Sequence, residues 1–382
     1  MKIISIVGAR PNFIKIAPFI HEIEKYNAIN TNKIEHLLVH TGQHYDDRMS
    51  KAFFNALNIP TADINLGIGS GSHAEQVGCT MIAFEKILLK EKTDWIVVVG
   101  DVNATLACSI TAKKYHIKVC HIEAGLRSGD EKMPEEINRI VTDRLSDLLL
   151  VPDKLSGENL KKEGVHENRI TFVGNIMIDT LEVNMARSAK LNIYNIINNN
   201  LLEKQAHHYK ALEEYALITM HRPSNVDTKK ILQPLIEFFS NEITKDIHLI
   251  WPIHPRTQNR LKEFGLWGNL LNNDKIILLH PIGYNEMIKL NMKARFILTD
   301  SGGLQEESCV LGTPCLTLRW NTERPITLLE NGGTSILVGN NIDRIRKEYN
   351  YIKNVKICPE RPELWDGNTA KRCVNAIVDY GK

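Results

Sequence analysis

The sequence has little cysteine, no cysteine pair and no long apolar run. Its seven cysteines are scattered over 382 residues and none belongs to a CxxC motif, which argues against a disulfide framework or a zinc site and is typical of reduced thiols. Apolar runs such as residues 96–99 and 148–151 are far shorter than the roughly 20 residues of a membrane span. Met1 and Lys2 lead directly into a strand-like segment rather than a signal peptide. We therefore expect a cytoplasmic protein with no metal site and no membrane partner.

An excess of charge of either sign is also missing. The 47 basic and 45 acidic residues give a net charge of +2, so the composition offers no reason to expect nucleic acid as a partner. An anionic ligand would have to be bound by a local cluster of basic groups. The length exceeds the size at which a single hydrophobic core stops growing, which favours two domains.

Short apolar runs alternate with segments of helical length and period along most of the chain. This alternation predicts the α/β class, with two doubly wound, Rossmann-like domains built on parallel sheets. The predicted strands are 2–7, 36–40, 94–99, 118–122, 148–151 and 170–173 in the first half, and 216–220, 248–253, 275–280, 296–299, 314–318 and 335–338 in the second. The pattern weakens between residues 189 and 214. We place the N-terminal domain at residues 1–177 plus 364–382 and the C-terminal domain at 178–363.

Ligands of such sheets bind at the carboxyl ends of the strands, so the loops that follow strands are where functional residues are expected. In the first half, Arg10 and Lys15 flank a predicted helix start, a place that favours anions. Asp101 follows the predicted strand 94–99, at a position where a helix N-cap is the simpler interpretation. Glu123 ends another strand, and Glu135 follows Pro134 at a helix start. Together the three acids would suit proton transfer at two faces of a substrate.

The second half places basic and glycine-rich segments in the same kind of position. A strand runs into Ser301, Gly302 and Gly303 and then a helix, which predicts an anion pocket that a diphosphate can approach closely. Glu307 lies one to two turns into that helix and could accept hydrogen bonds from ribose hydroxyls. The remaining candidates, all in loops after predicted strands, are His221, Arg222, His254, His280, Tyr284 and Arg324.

Two further patterns point to a cofactor or a metal only weakly. The segment from Gly69 to Ala74 matches GxGxxA, and Asp94 lies 20 residues beyond it, but the preceding strand is weak and is not the first of the sheet. His40 and His44 are four residues apart in what reads as a loop, without a thiolate or carboxylate at ligand spacing. We therefore expect neither a nicotinamide cofactor nor a metal.

The motifs, taken in order, resemble those of the non-hydrolysing UDP-N-acetylglucosamine 2-epimerases. The matching segments are GARPNFIK, TGQH, GD followed by TLA, HIEAGLRSGD, PEEINR, FVGN, HRPSN, LTDSGGLQEES and TERP, and they span residues 3 to about 330. The resemblance implies the GT-B architecture, in which two Rossmann-like domains face a cleft and the last helix packs back on the first domain. It also implies a homodimer that supplies an activated sugar for cell-surface polysaccharide.

The resemblance implies roles for particular residues. A diphosphate would be held by Arg10, His221, Ser301, Gly302 and Gly303, with Glu307 on the ribose, Arg324 against the nucleotide-sugar and the loop from His280 to Tyr284 along the uracil. The implied catalytic set is Lys15, Asp101, Glu123, Glu135 and His221. The implied reaction eliminates UDP to give 2-acetamidoglucal and adds it back with inverted configuration at C2, without a cofactor.

The sequence departs from the family pattern in three places. Asn12 stands where the family usually has Glu. HRPSN at residues 221–225 stands where the family has HRRE or HREN, with His221 and Arg222 kept. The Gln-rich loop of the bacterial members' activator site is replaced by residues 67–73, although Gln43 and His44 of that site are kept. Three alternatives remain open: a hydrolysing epimerase that releases N-acetylmannosamine, a GT-B glycosyltransferase, and a nucleotide-sugar sensor without turnover.

Overall fold

The computed structural model describes residues 1–42, 60–202, 212–355, 357 and 359–380. The chain forms two compact units. Unit 1 contains residues 1–183 and 363–382, and unit 2 contains residues 184–362. The boundary falls within the helix Ile176–Ala189.

Unit 1 is built on a seven-stranded sheet in which every strand pair is parallel. The strand order is β3-β2-β1-β4-β5-β6-β7. The strands are β1 (Lys2–Val7), β2 (Glu35–His40), β3 (Ile64–Asn65), β4 (Trp95–Val99), β5 (Lys118–Ile122), β6 (Leu148–Val151) and β7 (Ile170–Phe172). Its helices are α1 (Arg10–Ile29), α2 (His73–Leu88), α3 (Asn103–Lys114), α4 (Pro134–Leu145), α5 (Lys154–Lys162), with α6 (Ile176–Ala189) at the boundary.

Unit 2 repeats this architecture with six parallel strands in the order β10-β9-β8-β11-β12-β13. The strands are β8 (Tyr215–Thr219), β9 (His248–Pro252), β10 (Ile276–Leu279), β11 (Ile297–Thr299), β12 (Cys315–Thr317) and β13 (Ser335–Leu337). The helices are α7 (Ile193–Asn200), α8 (Pro223–Val226), α9 (Lys229–Phe238), α10 (Thr244–Asp246), α11 (Pro255–Glu263), α12 (Trp267–Leu271), α13 (Tyr284–Lys293), α14 (Gly302–Leu311) and α15 (Ile342–Asn354).

The strands inside each sheet are buried along most of their length because helices cover both faces of the sheet. All five residues of β4 and of β8 and all four of β6 are buried. A parallel sheet that is buried on both faces selects continuous runs of this kind instead of alternation. The apolar runs in the sequence therefore mark the middle of each sheet, and the polar residues that follow them mark its edge.

The last helix, α16 (Thr369–Asp379), returns to unit 1 and packs against α1. Its first-turn N–H groups at Thr369 and Ala370 donate to the Asp179 carboxylate, which acts as a distant cap for the helix. Arg372 donates to the carbonyl oxygens of Val173 and Leu364. These contacts attach the C-terminal segment to the end of β7, and confirm that the last helix packs on the first unit.

The α/β class and the two Rossmann-like units are confirmed. All twelve predicted strands occur, each within one residue of its expected bounds. The list of predicted strands did not include β3, the weak strand before Gly69, which has only two residues and pairs with β2 at the edge of the sheet. No helix among the described residues is long and apolar enough to cross a membrane.

The junction between β7 and the C-terminal segment gives a test of the fold. Gly174 has φ +91°, and a Cβ added there would lie 2.2 Å from the Leu364 carbonyl oxygen, whereas Gly164 has φ +81° and open space around it. We expect Gly164→Ala to cost about 1 kcal/mol of unfolding free energy from backbone strain alone. Gly174→Ala should cost more than about 3 kcal/mol because backbone must also move. Denaturant unfolding measures both, and equal losses would contradict the packing described here.

Candidate functional site

A buried ion pair lies at the carboxyl edge of the sheet in unit 1. Lys15, in the second turn of α1, places its Nζ 2.5 Å from Oε2 of Glu123, which directly follows β5. Both side chains are almost completely buried. Glu123 has φ +71°, a conformation that costs energy for a residue with a side chain. The second carboxylate oxygen of Glu123, Oε1, is buried and accepts no hydrogen bond within the described part of the chain, which leaves it available to a ligand.

Gly100 and Asn12 shape the floor beside this pair. Gly100 has φ +68°, and a Cβ there would lie 3.4 Å from Lys15 Nζ and 3.6 Å from Glu123 Oε2. The Asn12 amide accepts from the backbone of Gly8 and Ala9 and donates to the Val99 carbonyl oxygen. An ionised carboxylate could not make the last of these bonds. The departure at Asn12 therefore ties the loop after β1 to the end of β4.

Asp101 is part of the same edge, and the N-cap interpretation of it is wrong. The N-cap of α3 is Val102, without a side-chain capping bond. The Asp101 carboxylate instead accepts from Arg139 on α4, at 3.0 Å from Nε and 2.7 Å from Nη2. It remains about a quarter exposed. Arg139 therefore places a positive charge directly beside this carboxylate.

The two adjacent glutamates at the start of α4 have different surroundings. Glu135 is exposed. Glu136 is buried, accepts from the backbone N–H groups of Ser128 and Gly129, and pairs with Arg139. Glu136 thus stabilises the loop at Ser128 and Gly129, while the carboxyl group of Glu135, the residue predicted from the sequence, is exposed to solvent. The structure keeps Glu135 on the same edge but records no contact between it and Lys15 or Glu123.

The equivalent edge of unit 2 is organised around a carboxylate that the sequence analysis did not single out. Asp300, directly after β11, is completely buried and accepts from the backbone N–H groups of His221 and Arg222 and from the Asn225 amide. The His221 ring places Nδ1 3.1 Å from the same carboxylate. Burial alone would raise the pKa of Asp300, but these donors hold it below its ordinary value. The carboxylate fixes His221, whose side chain stays 43% exposed.

His254 and His280 are exposed at the ends of β9 and β10. The ring of His254 lies 5.3 Å from that of His221, measured between centroids. Its Nδ1 accepts from the Arg256 backbone and caps α11. Burial, His221 and Arg256 lower the pKa of His254, against the opposing charge of Asp300. His254 therefore has a local structural role that the sequence did not reveal.

The start of α14 is the strand-to-helix turn at which the sequence predicts an anion pocket. Ser301 is the N-cap, and its hydroxyl accepts from the Leu304 N–H group. The first N–H groups of a helix have no acceptor inside the helix, so those of Gly302 and Gly303 can bind an anion. A Cβ on Gly302 would lie 3.1 Å from Arg324 Nη1 and from Glu323 Oε1. The missing side chain thus leaves room for both the helix N-terminus and the arginine beside it.

Arg324 is held in place by carboxylates. Its guanidinium pairs with Glu323, and its Nε lies 2.5 Å from Oε1 of Glu306. Arg319 lies 2.6 Å from Glu323 on the other side. All four side chains are buried. Such a network orients the guanidinium next to Gly302 before any ligand binds. The neighbouring carboxylates also neutralise part of its positive charge.

Glu307 is buried in α14 next to the phenol of Tyr284, which begins α13. Burial raises the pKa of Glu307 to about 7, the Tyr284 phenol opposes this shift, and the Glu306 carboxylate adds to it. Burial and the Glu307 charge in turn raise the pKa of Tyr284. The pKa of this carboxyl group therefore lies near neutral pH, well above the ordinary range of a glutamate.

Several sequence predictions lie outside these two edges. The segment from Gly69 to Ala74 is a loop that leads to a capping box of Ser72 and Glu75 at the start of α2, and it follows the edge strand β3. His44 and Gln43 lie outside the described residues, as does the side chain of Arg10, whose backbone begins α1. Among the residues that the structure describes, no three His, Cys, Asp or Glu side chains are grouped as a metal site would require.

Comparison with known proteins identifies one family. Residues 27–378 match the family model described as UDP-N-acetylglucosamine 2-epimerase. A UDP-N-acetylglucosamine 2-epimerase of Methanocaldococcus jannaschii is 43% identical over 384 residues, covering 100% of both chains. A UDP-2,3-diacetamido-2,3-dideoxy-D-glucuronate 2-epimerase of Pseudomonas aeruginosa is 38% identical over 342 residues, covering 89% of this chain and 88% of the relative. The crystal structure of the M. jannaschii enzyme with UDP-GlcNAc and UDP superimposes with a TM-score of 0.87 over the full length of both chains.

The burial of Glu307 predicts a pH dependence of stability. Because its pKa in the folded chain is about 7 and its ordinary value is about 4.3, the native state loses stability as pH rises from about 4.3 through 7. Glu307→Gln should remove up to about 3 kcal/mol of this loss, measured as the difference between urea unfolding at pH 5 and pH 8. Glu330→Gln, at an exposed position of the same unit, serves as the control and should keep the wild-type dependence. A wild-type dependence in Glu307→Gln would contradict this assignment.

Proposed function

The chain belongs to the UDP-N-acetylglucosamine 2-epimerase family, and we propose that it interconverts UDP-N-acetylglucosamine and UDP-N-acetylmannosamine by inverting C2 of the sugar. The observation that carries this proposal is the 43% identity that extends over the whole of both chains. The carboxylate-rich edge of unit 1 and the anion pocket of unit 2 supply the chemistry that such a reaction needs.

Elimination of UDP makes the inversion chemically accessible. The C2 proton has no neighbouring carbonyl to acidify it, so its direct removal is very difficult. In the proposed route a base takes the C2 proton, the C1–O bond breaks, and UDP leaves to give 2-acetamidoglucal. Return of a proton to the opposite face of C2 and of UDP to C1 gives the epimer. One acid–base group is needed on each face of the sugar.

The acids of unit 1 are the proposed proton-transfer groups. Asp101 lies beside Arg139 and Glu123 lies beside Lys15, and a carboxylate at either position could accept the proton. Glu135 is the third candidate, and its exposure is compatible with an acid that contacts substrate directly. Lys15 supplies a positive charge that offsets the repulsion between the two or three carboxylates at this edge.

Unit 2 is proposed to bind the UDP moiety. The N-terminus of α14 at Ser301, Gly302 and Gly303 would hold the diphosphate, together with His221, which Asp300 orients. A positively charged His221 would stabilise the negative charge that develops on the leaving diphosphate. The other proposed contacts are Arg10, Arg222, His254 and Arg324 for the phosphates and sugar, His280 and Tyr284 for uracil, and Glu307 for ribose.

A related activity on a UDP-diacetamido-glucuronate is the second candidate, because a relative with that name is 38% identical over most of its length. We favour UDP-N-acetylglucosamine because the identity to its epimerase is higher and complete in coverage. A homodimer, a cytoplasmic location and a supply of activated sugar for cell-surface polysaccharide belong to the same proposal, and their support is the family alone.

The proposed activity predicts a simple time course. Purified protein with UDP-N-acetylglucosamine alone should form UDP-N-acetylmannosamine and approach one equilibrium ratio from either epimer, as followed by ¹H NMR. Free N-acetylmannosamine with UDP would identify a hydrolysing epimerase instead. Turnover only with an added acceptor would identify a glycosyltransferase, and binding without turnover a sensor.

The assignment of the acids predicts a loss of kcat. Asp101→Asn and Glu135→Gln should each lower kcat by about 10²–10⁴-fold with smaller effects on KM, since positioned acid–base groups act mainly in the transition state. Both changes preserve the shape of the side chain. Glu131→Gln, an exposed glutamate four residues before Glu135, is the matched control and should retain wild-type kinetics. Near-wild-type kcat in Asp101→Asn would reduce Asp101 to a partner of Arg139.

A further inference from the structure

Behind the acids of unit 1 lies a histidine with two acceptors. His121 is completely buried in β5, a strand that pairs with β4 on one side and β6 on the other. Its Nδ1 lies 2.6 Å from Oδ1 of Asp143, and its Nε2 lies 2.9 Å from the carbonyl oxygen of Gly100. A carbonyl oxygen can only accept, and so can an ionised carboxylate. If Asp143 is ionised, only the doubly protonated imidazolium can donate to both acceptors.

The Asp143 carboxylate is itself held ionised. Its Oδ2 accepts from the Gly125 N–H group at 3.0 Å and lies 2.7 Å from Arg127 Nη1. Burial alone would raise the pKa of Asp143, but His121 and Arg127 hold it below its ordinary value. Arg127 is in turn paired with Glu163 through two contacts of 2.7 Å. The charges alternate along this chain, so an imidazolium at its inner end is balanced by the neighbouring anion.

The two acceptors of His121 lead to the two parts of the proposed proton-transfer site. Gly100 directly precedes Asp101, and a Cβ added to it would lie 3.4 Å from Lys15 Nζ and 3.6 Å from Glu123 Oε2. On the other side, Asp143 binds residues 121 and 125, which flank Glu123 with its unfavourable φ of +71°. One buried ion pair thus fixes the peptide that orients Asp101 and the turn that presents Glu123.

We propose that His121 is a positioning residue, an imidazolium that pairs with Asp143 and holds Asp101 and Glu123 in register for proton transfer. The kinetic consequences of this proposal rest on the proposed function. The protonation state of His121 is independent of that function. His121 touches no substrate and acts only through the Gly100 peptide and the Glu123 turn.

The protonation state is tested on the unmodified protein. ¹⁵N NMR of histidine-labelled protein at pH 7.5 should show both ring nitrogens of His121 protonated, with the signal assigned by its loss in His121→Gln. His36, in β2 of the same sheet, is the internal reference, because burial lowers its pKa to about 4 and keeps it neutral. A neutral His121 with one bare nitrogen would overturn the proposal, whether or not the protein proves to be an epimerase.

The positioning role is tested by kinetics. In His121→Gln the side-chain amide can donate at one end only, so one acceptor is lost, and we expect kcat to fall by up to about 100-fold with KM within about 3-fold. His36→Gln is the matched control and should keep wild-type kcat. In Asp143→Asn the anion that stabilises the imidazolium is gone, so the ratio of variant to wild-type kcat should rise as the pH is lowered toward 6.

A merely structural His121–Asp143 pair predicts a different outcome. The Asp143→Asn ratio would then be independent of pH, and the loss in His121→Gln would follow the folded fraction measured by circular dichroism. Either result would overturn the positioning role. Absence of epimerase turnover in the wild-type protein would instead reject the proposed function and leave the NMR result to stand on its own.

Discussion

The direction of the strands is the constraint on which the rest of the structure depends. Within each unit every strand runs parallel to its neighbours, so all strands of a sheet end at one edge. Residues far apart in the sequence therefore meet there, such as Lys15 and Glu123, which are 108 positions apart, and Asn225 and Asp300, which are 75 apart. The helix that follows each strand begins at the same edge and directs its free N–H groups toward it. The positions of the side chains in the candidate site follow from this geometry.

The two edges solve opposite electrostatic problems. Unit 1 gathers acids at its edge, and four of these carboxylates have a cation beside them: Lys15 for Glu123, Arg139 for Asp101 and Glu136, and Arg127 for Asp143. Unit 2 gathers cations and a helix N-terminus, and its carboxylates orient them: Asp300 for His221, and Glu306 with Glu323 for Arg324. A charge that is already oriented costs little reorganisation when the reaction begins.

The sequence predicted the strands well because a strand buried on both faces leaves an unambiguous apolar run, as in residues 95–99. It predicted candidate residues by position, since any polar residue just after such a run lies at the functional edge. It could not predict their partners. Arg139 as the partner of Asp101, and Asp143 as the partner of His121, come from a helix about 20 to 40 residues away, and the N-cap interpretation of Asp101 was wrong for that reason.

The neighbours of a residue in space also decide features that no local pattern carries. Glu307 looked like an ordinary ligand for ribose, but the burial of α14 and the charge of Glu306 raise its pKa to about 7. Asp300 directly follows a strand, a signal that could have identified it, yet its role depends on the backbone of residues 221 and 222 in another loop. The two-residue strand β3 was missed because so short an edge strand has no period to detect.

The central claim is that the acids of unit 1 exchange the C2 proton during elimination and return of UDP, and solvent isotope labelling tests it most directly. In D₂O, C2 of both UDP-N-acetylglucosamine and UDP-N-acetylmannosamine should acquire deuterium as the epimers interconvert, because the proton taken by a carboxylate exchanges with solvent before the other face is protonated. ¹H NMR and mass spectrometry follow the label at C2 during the first turnovers. Epimers formed with the original proton still at C2 would contradict the account.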